Sequence, residues 1–395
     1  MPEPFGSHHS KMMIIFRHDD TAQVIIHTAN MIAQDWTNLS QAVWRSPMLP
    51  LSECQDDAEH GDESDLAIGT GPRFKRDLLR YLFAYSKART GSLIERLRKY
   101  DFNAVRAALV ASVPTKESEG SAKAARQTSW GWQGLKEVLT AIPSCGSAIS
   151  RPIVVTQVSS VASLGKEWLP AFLAILNNSE TKNTKSPTHR VVFPTADEVR
   201  TSLDGYRAGS SIHIKIQSPA QVRQLAALRP MLCHWAGEGT PPTISTRNPT
   251  STPVHEAGRR RAAPHIKTYV RFSDASMKSI DWAMVTSANL SAQAWGMQPQ
   301  DGKIRICSWE IGVVVWPGLF ADSEKDTVSS SVMVPTFKRD DPSLEDYDSL
   351  PAVDNVVGFR MPYDLPLVPY KPGEVPWCAT ANHPEPDSKG VVYRV

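Results

Sequence analysis

Short apolar runs alternate with longer amphipathic stretches along this chain. Residues 12–16 and 23–30 are apolar or alternate with polar residues, and both are rich in β-branched side chains. This pattern predicts two strands that form a hairpin around His18, Asp19 and Asp20. Three further runs are short and almost wholly apolar, which predicts strands buried on both faces: residues 107–113, 152–158 and 312–316.

The helical spacing of apolar residues predicts where the helices lie. Residues 74–101 have this spacing and are expected to form two helices that break near Gly91. A further helix is expected over 132–142, where Pro143 ends it. The proline-rich tail from residue 361 is expected to pack as irregular structure over the second domain. Because strands alternate with helices, the sequence predicts an α/β fold with mixed sheets flanked by helices.

The composition is that of a globular protein with room for two domains: 395 residues, 41% hydrophobic and 21% charged. No apolar run approaches the roughly 18 residues that span a bilayer, and no signal peptide is visible, so no membrane partner is expected. The five cysteines are scattered without a C-x-x-C pair, which argues for a reducing compartment and against a zinc site. A net charge of +2 is uninformative about nucleic acid, since binding needs only a local basic patch. Residues 259–261, three arginines, are either such a patch or a solvated loop.

A pattern that combines His, Lys and Asn occurs twice in the chain. The first copy is His9-Ser10-Lys11 followed by Asn30, and the second is His265-Ile266-Lys267 followed by Asn289. After each Asn the spacing N-x-x-A-Q-x-W recurs, ending at Trp36 and at Trp295. A repeat of a whole strand–loop–helix unit predicts two similar halves related by a pseudo-twofold axis. We place the boundary between residues 1–106 and residues 107–395.

The repeated residues suit phosphoryl transfer. Alternation along a strand directs the His and the Lys of each copy to the same face. Two Lys and two Asn would then surround one phosphate and stabilise the charge of a pentacoordinate transition state. One His would attack phosphorus while the other protonates the leaving oxygen and later activates water. No cluster of Asp, Glu and His has metal-ligand spacing, so covalent catalysis is expected rather than a two-metal mechanism, with no cofactor.

The motifs carry a resemblance to a known family. Ordinary members of the phospholipase D superfamily carry H-x-K-x-x-x-x-D, but Phe16 and Phe272 stand at the two Asp positions here. With Asn in place of that Asp, the chain resembles the tyrosyl-DNA phosphodiesterase family. The segments that match it are P-F-G-S-H-H-S-K-M-M, H-I-K-T-Y, T-S-A-N-L-S-A-Q-A-W-G, S-W-E-I-G-V, Ser159 to Gly165 and Pro362 to Pro366.

The resemblance implies a fold, an activity and a location. Two phospholipase-D-like domains are expected, acting as a nuclear DNA-repair phosphodiesterase. The bond cleaved would join a DNA 3′-phosphate to a topoisomerase tyrosine, and the partners would be single- and double-stranded DNA. The resemblance implies no cofactor, and no element of the sequence predicts an oligomer, so a monomer is expected.

The resemblance also implies the roles of individual residues. His9 would be the nucleophile and His265 the general acid and base, with Glu310 behind His9 and Gln41 behind His265. Lys11, Lys267, Asn30 and Asn289 would bind the phosphate. Phe5 would stack on a base, and the strand backbone would be contacted by Ser159, Ser160, Ser163 and Ser291. Trp36 and Trp295 are expected to be buried anchors of the two half-sites.

One departure from the family and two alternatives stay open at this point. Family members have a substantial segment before the first motif, whereas here that motif begins within ten residues of Met1, so the first domain is expected to be truncated. A phospholipid-cleaving enzyme of the same superfamily is one alternative. A DNA-end-binding protein without activity is the other.

Overall fold

The strands and helices follow the chain from one histidine–lysine pair to the other. A computed structural model describes residues 6–52, 66–118, 128–143, 150–177, 185–236, 254–297, 303–321, 331–350 and 353–395. Its strands are β1 (Met12–Phe16), β2 (Thr21–His27), β3 (Val43–Arg45), β4 (Leu49–Pro50), β5 (Ala108–Ser112), β6 (Thr115–Ser118), β7 (Ile153–Gln157), β8 (Thr188–Val192), β9 (Leu232–Cys233), β10 (Thr268–Phe272), β11 (Ile280–Thr286), β12 (Lys303–Ile306), β13 (Glu310–Val315), β14 (Ser331–Thr336) and β15 (Asn355–Arg360). Its α-helices are α1 (Ala33–Thr37), α2 (Gly71–Phe83), α3 (Lys87–Arg98), α4 (Gly131–Ala141), α5 (Trp168–Leu176), α6 (Ala196–Arg200), α7 (Pro219–Leu228), α8 (Ala292–Trp295) and α9 (Leu344–Tyr347).

The strands form a small sheet and a large one, beside a two-stranded ribbon of β6 and β12. In the small sheet β1 pairs antiparallel with β2, and β3 and β4 both pair with β2. The large sheet runs in the order β15-β14-β11-β10-β7-β8-β9, with β13 between β11 and β5. It is mixed, because β7–β8, β8–β9 and β14–β15 are parallel while the other pairs are antiparallel. The expected hairpin and the expected mixed α/β fold are confirmed.

The break between the first two long helices lies elsewhere than predicted. Gly91 sits inside α3, and a Cβ there would meet only Lys87 Cγ, at 3.4 Å. The chain turns instead between α2 and α3, where Ser86 takes a φ of 148°. Glycine lowers helix stability by about 1 kcal/mol but does not stop a helix that packing holds in place. The two predicted helices are confirmed, but the break between them lies at residues 84–86 and not near Gly91.

Two hydrophobic cores lie on opposite faces of the β5–β13 pair. Alternate residues of these strands face one core or the other. The smaller core, with β1, β2, α2 and α3, receives Leu109, Ala111, Ile311 and Val313, whereas the larger core receives Ala108, Val110 and Val314. Burial on both faces explains why residues 107–113 and 312–316 read as continuous apolar runs. The predicted domain boundary after residue 106 falls just before a strand that both cores share, and it stays a prediction.

The C-terminal tail packs as irregular structure, as predicted. Beyond β15 the described chain forms neither helix nor ladder strand up to Val395. Trp377 is fully buried there, and its indole N–H donates to the carbonyls of Gly209 (3.1 Å) and Ile212 (3.0 Å). The tail thus fixes the loop that leads to His213, which borders the site described below. No helix in the described ranges is long and apolar enough to cross a membrane.

Candidate active site

Each histidine–lysine pair directly precedes the first strand of a hairpin. Lys11 precedes β1 and Lys267 precedes β10, and each lysine ammonium donates to the carbonyl of the histidine two residues before it. The second strand of each hairpin, β2 or β11, ends just before Asn30 or Asn289. The two copies of the motif therefore have the same local structure.

The matching contacts continue beyond the hairpins. Thr28 and Ser287 occupy corresponding positions in the two copies. Each hydroxyl donates to a polar side chain of a neighbouring segment. Thr28 donates to Gln41 Oε1 at 2.7 Å, and Ser287 donates to Glu310 Oε2 at 2.5 Å. Each hydroxyl also accepts a backbone N–H, from Ala42 at 2.9 Å or Ile311 at 3.0 Å. Gln41 and Glu310 are therefore equivalent in place but differ in charge.

The two halves exchange backbone pairing next to each histidine. Trp309 N–H donates to Ser7, and His9 N–H donates back to Trp309, at 2.9 and 3.0 Å. In the other half Ser40 N–H donates to Ala263 at 2.9 Å, and His265 N–H donates back to Ser40 at 3.1 Å. The residues before His9 are thus paired with the residue before Glu310, and the residues before His265 are paired with the residue before Gln41. This exchange brings the distant motifs into one site.

His9 is supported by a buried carboxylate. Its Nδ1 lies 2.9 Å from Glu310 Oε2, and Glu310 is only 5% exposed. Burial alone would raise the pKa of Glu310, but His9, the Ser287 hydroxyl and Lys11 together hold that pKa below its usual value. A carboxylate that accepts Nδ1–H leaves Nε2 of His9 as the nitrogen for chemistry and makes it more basic.

His265 is more deeply buried, at 4% exposure. Its Nδ1 lies 3.3 Å from Nε2 and 3.4 Å from Oε1 of Gln41, so the amide is close to the ring in either orientation. Burial lowers the pKa of His265, and the charges of Lys267, Lys11, His9 and His213 lower it further, in that order. Four nearby ionisable groups thus lower the pKa of His265, whereas His9 is paired with the carboxylate of Glu310.

The two lysines are buried and feel each other's charge. Lys267 is fully buried, and burial followed by repulsion from Lys11 holds its pKa well below the usual value. Lys11 is 7% exposed, and burial lowers its pKa to about 8, opposed by Glu310 and Asp35. An ammonium has three donor hydrogens, so each lysine keeps two after bonding its histidine carbonyl. The electrostatics favour an anion between them.

The two asparagines have different partners. Asn30 donates both its backbone N–H (2.6 Å) and its side-chain amide (2.9 Å) to Asp35 Oδ2. Asn289 instead accepts at Oδ1 from the backbone N–H groups of Ser159 (3.1 Å) and Ser160 (2.9 Å). Both arrangements fix the amide, and the second one directs the amide nitrogen of Asn289 away from the serines.

The serines predicted to contact DNA lie at one edge of this site with different exposures. Ser159 is buried and its hydroxyl also donates to Asn289. Ser163 is exposed and accepts from Gln221 at 2.9 Å, and Ser291, at the start of α8, donates to Gln293. Ser160 pairs with His213 across a parallel bridge. Phe5 lies outside the described residues, and all five DNA-contact roles stay predictions.

Asp35 is a charged residue of the site that the sequence analysis missed. It is completely buried in α1, with Oδ2 3.2 Å from His265 Nδ1 and its carbonyl 3.2 Å from Gln41 Nε2. The available signal was the comparison of the two copies, since N-x-x-A-Q-D-W has Asp where the second copy has Ala294. Among the residues that the structure describes, no group of three His, Cys, Asp or Glu could hold a metal ion.

The two tryptophans of the repeat differ in burial. Trp295 is 1% exposed and Trp36 is 54% exposed, although each indole donates to its own asparagine carbonyl, at 3.0 and 2.8 Å. The prediction of a buried anchor is confirmed for Trp295 and wrong for Trp36. The reason is that α8 lies over the large core, whereas α1 lies at the rim, where His27 is the ring that Trp36 contacts.

Comparison with known proteins gives a consistent result. The family model for tyrosyl-DNA phosphodiesterase matches residues 1–371. A probable tyrosyl-DNA phosphodiesterase of Schizosaccharomyces pombe is 31% identical, and the match covers 98% of this chain and 77% of that protein. Tyrosyl-DNA phosphodiesterase 1 of Drosophila melanogaster is 31% identical (95% of this chain, 58% of that protein), and that of Arabidopsis thaliana is 30% identical (100% and 62%).

A solved structure shows the same fold. The crystal structure of yeast tyrosyl-DNA phosphodiesterase superposes with a TM-score of 0.63, covering 95% of this chain and 78% of that one at 20% sequence identity. The fold class expected from the sequence, an α/β protein with mixed sheets flanked by helices, is therefore found in a solved protein as well.

Proposed function

Because the chain belongs to the tyrosyl-DNA phosphodiesterase family, we propose that it is a DNA-repair phosphodiesterase that hydrolyses the bond between a DNA 3′-phosphate and a topoisomerase tyrosine. The observation that carries this proposal is the crossed support of the two histidines. Each imidazole is held at Nδ1 by a side chain from the opposite half, Glu310 for His9 and Gln41 for His265. Both Nε2 atoms are then available to one substrate, as a two-step displacement at phosphorus requires.

In the first step Nε2 of His9 attacks phosphorus, and the bond from phosphorus to the tyrosine oxygen breaks. His265 gives its proton to the departing phenolate oxygen. Glu310 stabilises the positive charge that develops on the ring of His9. The products are a free tyrosyl peptide and a phosphohistidine that joins the DNA 3′ end to the protein.

In the second step a water molecule attacks the same phosphorus while His265, now neutral, takes a proton from the water. The bond between phosphorus and His9 Nε2 breaks, and the DNA leaves with a 3′-phosphate. Lys11, Lys267, Asn30 and Asn289 hold the non-bridging oxygens in both transition states. Each step uses residues of this chain and water, and we expect no cofactor.

The proposal also covers how DNA binds, how the domains are arranged, and in which oligomeric state and compartment the protein acts. We place the DNA strand along Ser159, Ser160, Ser163 and Ser291, with Phe5 stacked on a base, and expect both single- and double-stranded DNA to be accepted. The matched contacts of the two half-sites support two phospholipase-D-like domains, residues 1–106 and 107–395, related by a pseudo-twofold axis. We propose that the protein is a monomer in the nucleus.

The test is cleavage of a 3′-phosphotyrosyl oligonucleotide in excess EDTA, with phosphatidylcholine as the alternative substrate. We expect release of tyrosine and a 3′-phosphate end, undiminished by EDTA. Binding of the oligonucleotide without turnover would instead identify an inactive DNA-end-binding protein. Hydrolysis of the lipid but not of the DNA adduct would identify a phospholipase. A single sedimentation mass that does not change with concentration, at full activity, would support the monomer.

A further inference from the structure

Asp35 contacts residues of both half-sites, although nothing in the repeat requires it. It lies in α1 directly after motif one, and its side chain is completely buried. Three nitrogen atoms surround Oδ2: Asn30 N at 2.6 Å, Asn30 Nδ2 at 2.9 Å and His265 Nδ1 at 3.2 Å. Its second oxygen, Oδ1, is buried with no hydrogen-bond partner among the described residues. A carboxylate kept in this position costs stability, which argues that it serves the site.

His265 has a carboxylate, that of Asp35, beside its ring in a site where the other nearby charges are positive. As the acid of the first step the ring must carry two protons, yet burial and the nearby cations lower its pKa. The groups whose charges lower this pKa are Lys267, Lys11, His9 and His213, and none of these is an anion. Glu310 is bonded to His9 instead. Asp35 is the anion in contact with the His265 ring in the part of the chain that the structure describes.

The position of the Asp35 carboxylate also favours a proton on Nδ1 of His265. If the carboxylate accepts Nδ1–H, the neutral ring has its lone pair on Nε2, as water activation requires. Gln41 lies beside the same Nδ1 at 3.3 Å, and its Nε2 donates to the Asp35 carbonyl at 3.2 Å. Asp35 therefore holds both the ring and the neutral side chain that flanks it.

The asymmetry of the repeat supports a role in chemistry rather than in folding. The corresponding residue of the second copy, Ala294, is buried and packs in the large core, so the helix can form without a carboxylate. In that half the histidine support is the neutral Gln41, whereas His9 already has Glu310. Only the histidine that is supported by an uncharged side chain needs an additional anion. That histidine is His265, and Asp35 lies beside it.

We propose that Asp35 is a positioning residue of the phosphodiesterase reaction, the anionic partner that keeps a proton on His265 for release of the leaving group and holds Asn30 against the phosphate. This inference rests on the proposed function and adds a residue to it. It also changes the picture drawn from the sequence, in which Gln41 alone lay behind His265.

The test compares two leaving groups on the same oligonucleotide, a 3′-phosphotyrosine and a 3′-(4-nitrophenyl) phosphate. Nitrophenol is far more acidic than tyrosine, whose pKa is near 10, so its release needs no acid. In single-turnover assays Asp35→Asn should slow tyrosine release by about 10²-fold, within the range for loss of general acid catalysis. Nitrophenol release should slow by less than about tenfold, since Asn30 is also disturbed. Equal slowing of both reactions would overturn the inference.

Asp281→Asn is the matched control. Asp281 is another buried aspartate, at 6% exposure, and pairs with Arg271 (2.9 Å) and Ser273 (2.7 Å) away from the site. Its loss should lower thermal stability without changing the ratio of the two release rates. A changed ratio in this control would show that the ratio reports general destabilisation, and would overturn the argument.

A measurement on the unaltered protein covers the case in which Asp35→Asn does not fold. Nitrogen-15 NMR of labelled histidine should show Nδ1 of His265 protonated, hydrogen-bonded and slow to exchange its proton. A proton on Nε2 in the neutral ring would overturn the inference. The two proposals fail differently: an inactive parent protein defeats the proposed function and this inference together, whereas an active parent with equal slowing in Asp35→Asn defeats this inference alone.

Discussion

Glu310 Oε2 lies 2.9 Å from Nδ1 of His9, although 301 residues separate the two in the chain. The contact depends on the short parallel bridge that sets His8 beside Trp309. It also depends on Ser287, which donates to the same carboxylate oxygen. The nucleophile proposed for one half is therefore prepared by two residues of the other half.

Replacing Glu310 tests that preparation. Glu310→Gln keeps the size of the side chain but removes the charge that stabilises the His9 ring as it attacks. In a single-turnover quench experiment, formation of the covalent adduct should slow by about 10²-fold, which is the lower end of the range for loss of general acid–base catalysis. Breakdown of preformed adduct depends on water activated by His265 and should slow less. A variant that slowed only breakdown would contradict the assignment of Glu310 to His9.

Substitution of the two histidines should give opposite results. Release of tyrosine, whose pKa is near 10, should slow in His265→Ala because the acid is lost, but His9 should still attack. Water then lacks its base, and a covalent protein–DNA adduct should accumulate on a denaturing gel. His9→Ala should form no adduct, and peptide mapping of the trapped His265→Ala species should place the phosphate on His9.

The same pair of variants can overturn the assignment. An adduct in His9→Ala but none in His265→Ala would reverse the roles of nucleophile and acid. Unchanged rates in both variants would remove the site from the reaction altogether. Thermal melting of each variant serves as the control for folding.

The lowered pKa of Lys11 predicts how activity depends on pH. Burial lowers this pKa to about 8, and only the protonated ammonium attracts the phosphate. The value of kcat/KM, which reports the free enzyme, should therefore fall as the pH rises through about 8. Lys11→Arg should lose this decline, because the guanidinium stays charged. A decline at the same pH in both proteins would show that another group causes it.

Two glycines should respond to alanine in opposite directions. Gly91 lies within α3, where an added Cβ would meet only the flexible side chain of Lys87 at 3.4 Å, so Gly91→Ala should stabilise the protein by about 0.5–1 kcal/mol. At Gly312 of β13 a Cβ would stand 2.5 Å from Thr286 Cβ and 2.6 Å from Val285 O. Gly312→Ala should therefore destabilise it by about 1–3 kcal/mol. Urea unfolding measures both changes, and a stabilising Gly312→Ala would contradict the described strand pairing.

Local patterns predicted most of the fold, because burial leaves a period in the sequence. The β1–β2 hairpin, α4 and the doubly buried β5 all carry such a period. The helix break could not be predicted at Ser86, because serine is not a residue type that favours the positive φ found there. Glycine at position 91 was the stronger local signal, and packing overrode it.

The site was predictable where the two copies agree and obscure where they differ. His, Lys and Asn are common to both copies, so the repeat itself identified them. Asp35 of the first copy corresponds to Ala294 of the second, and the exposed Trp36 corresponds to the buried Trp295. Such differences arise from what each helix packs against, which depends on contacts between residues far apart in the chain. A pattern within one segment carries no record of those contacts.

The exchanged backbone pairing ties the segments that carry the two copies of the motif to each other. Ser7 and His9 are pinned by Trp309, while Ala263 and His265 are pinned by Ser40. Loss of this pairing would remove the backbone support of both imidazoles in the same event. In the proposed mechanism the nucleophile and the base are therefore positioned together, so a protein able to form the phosphohistidine adduct also holds the base that resolves it.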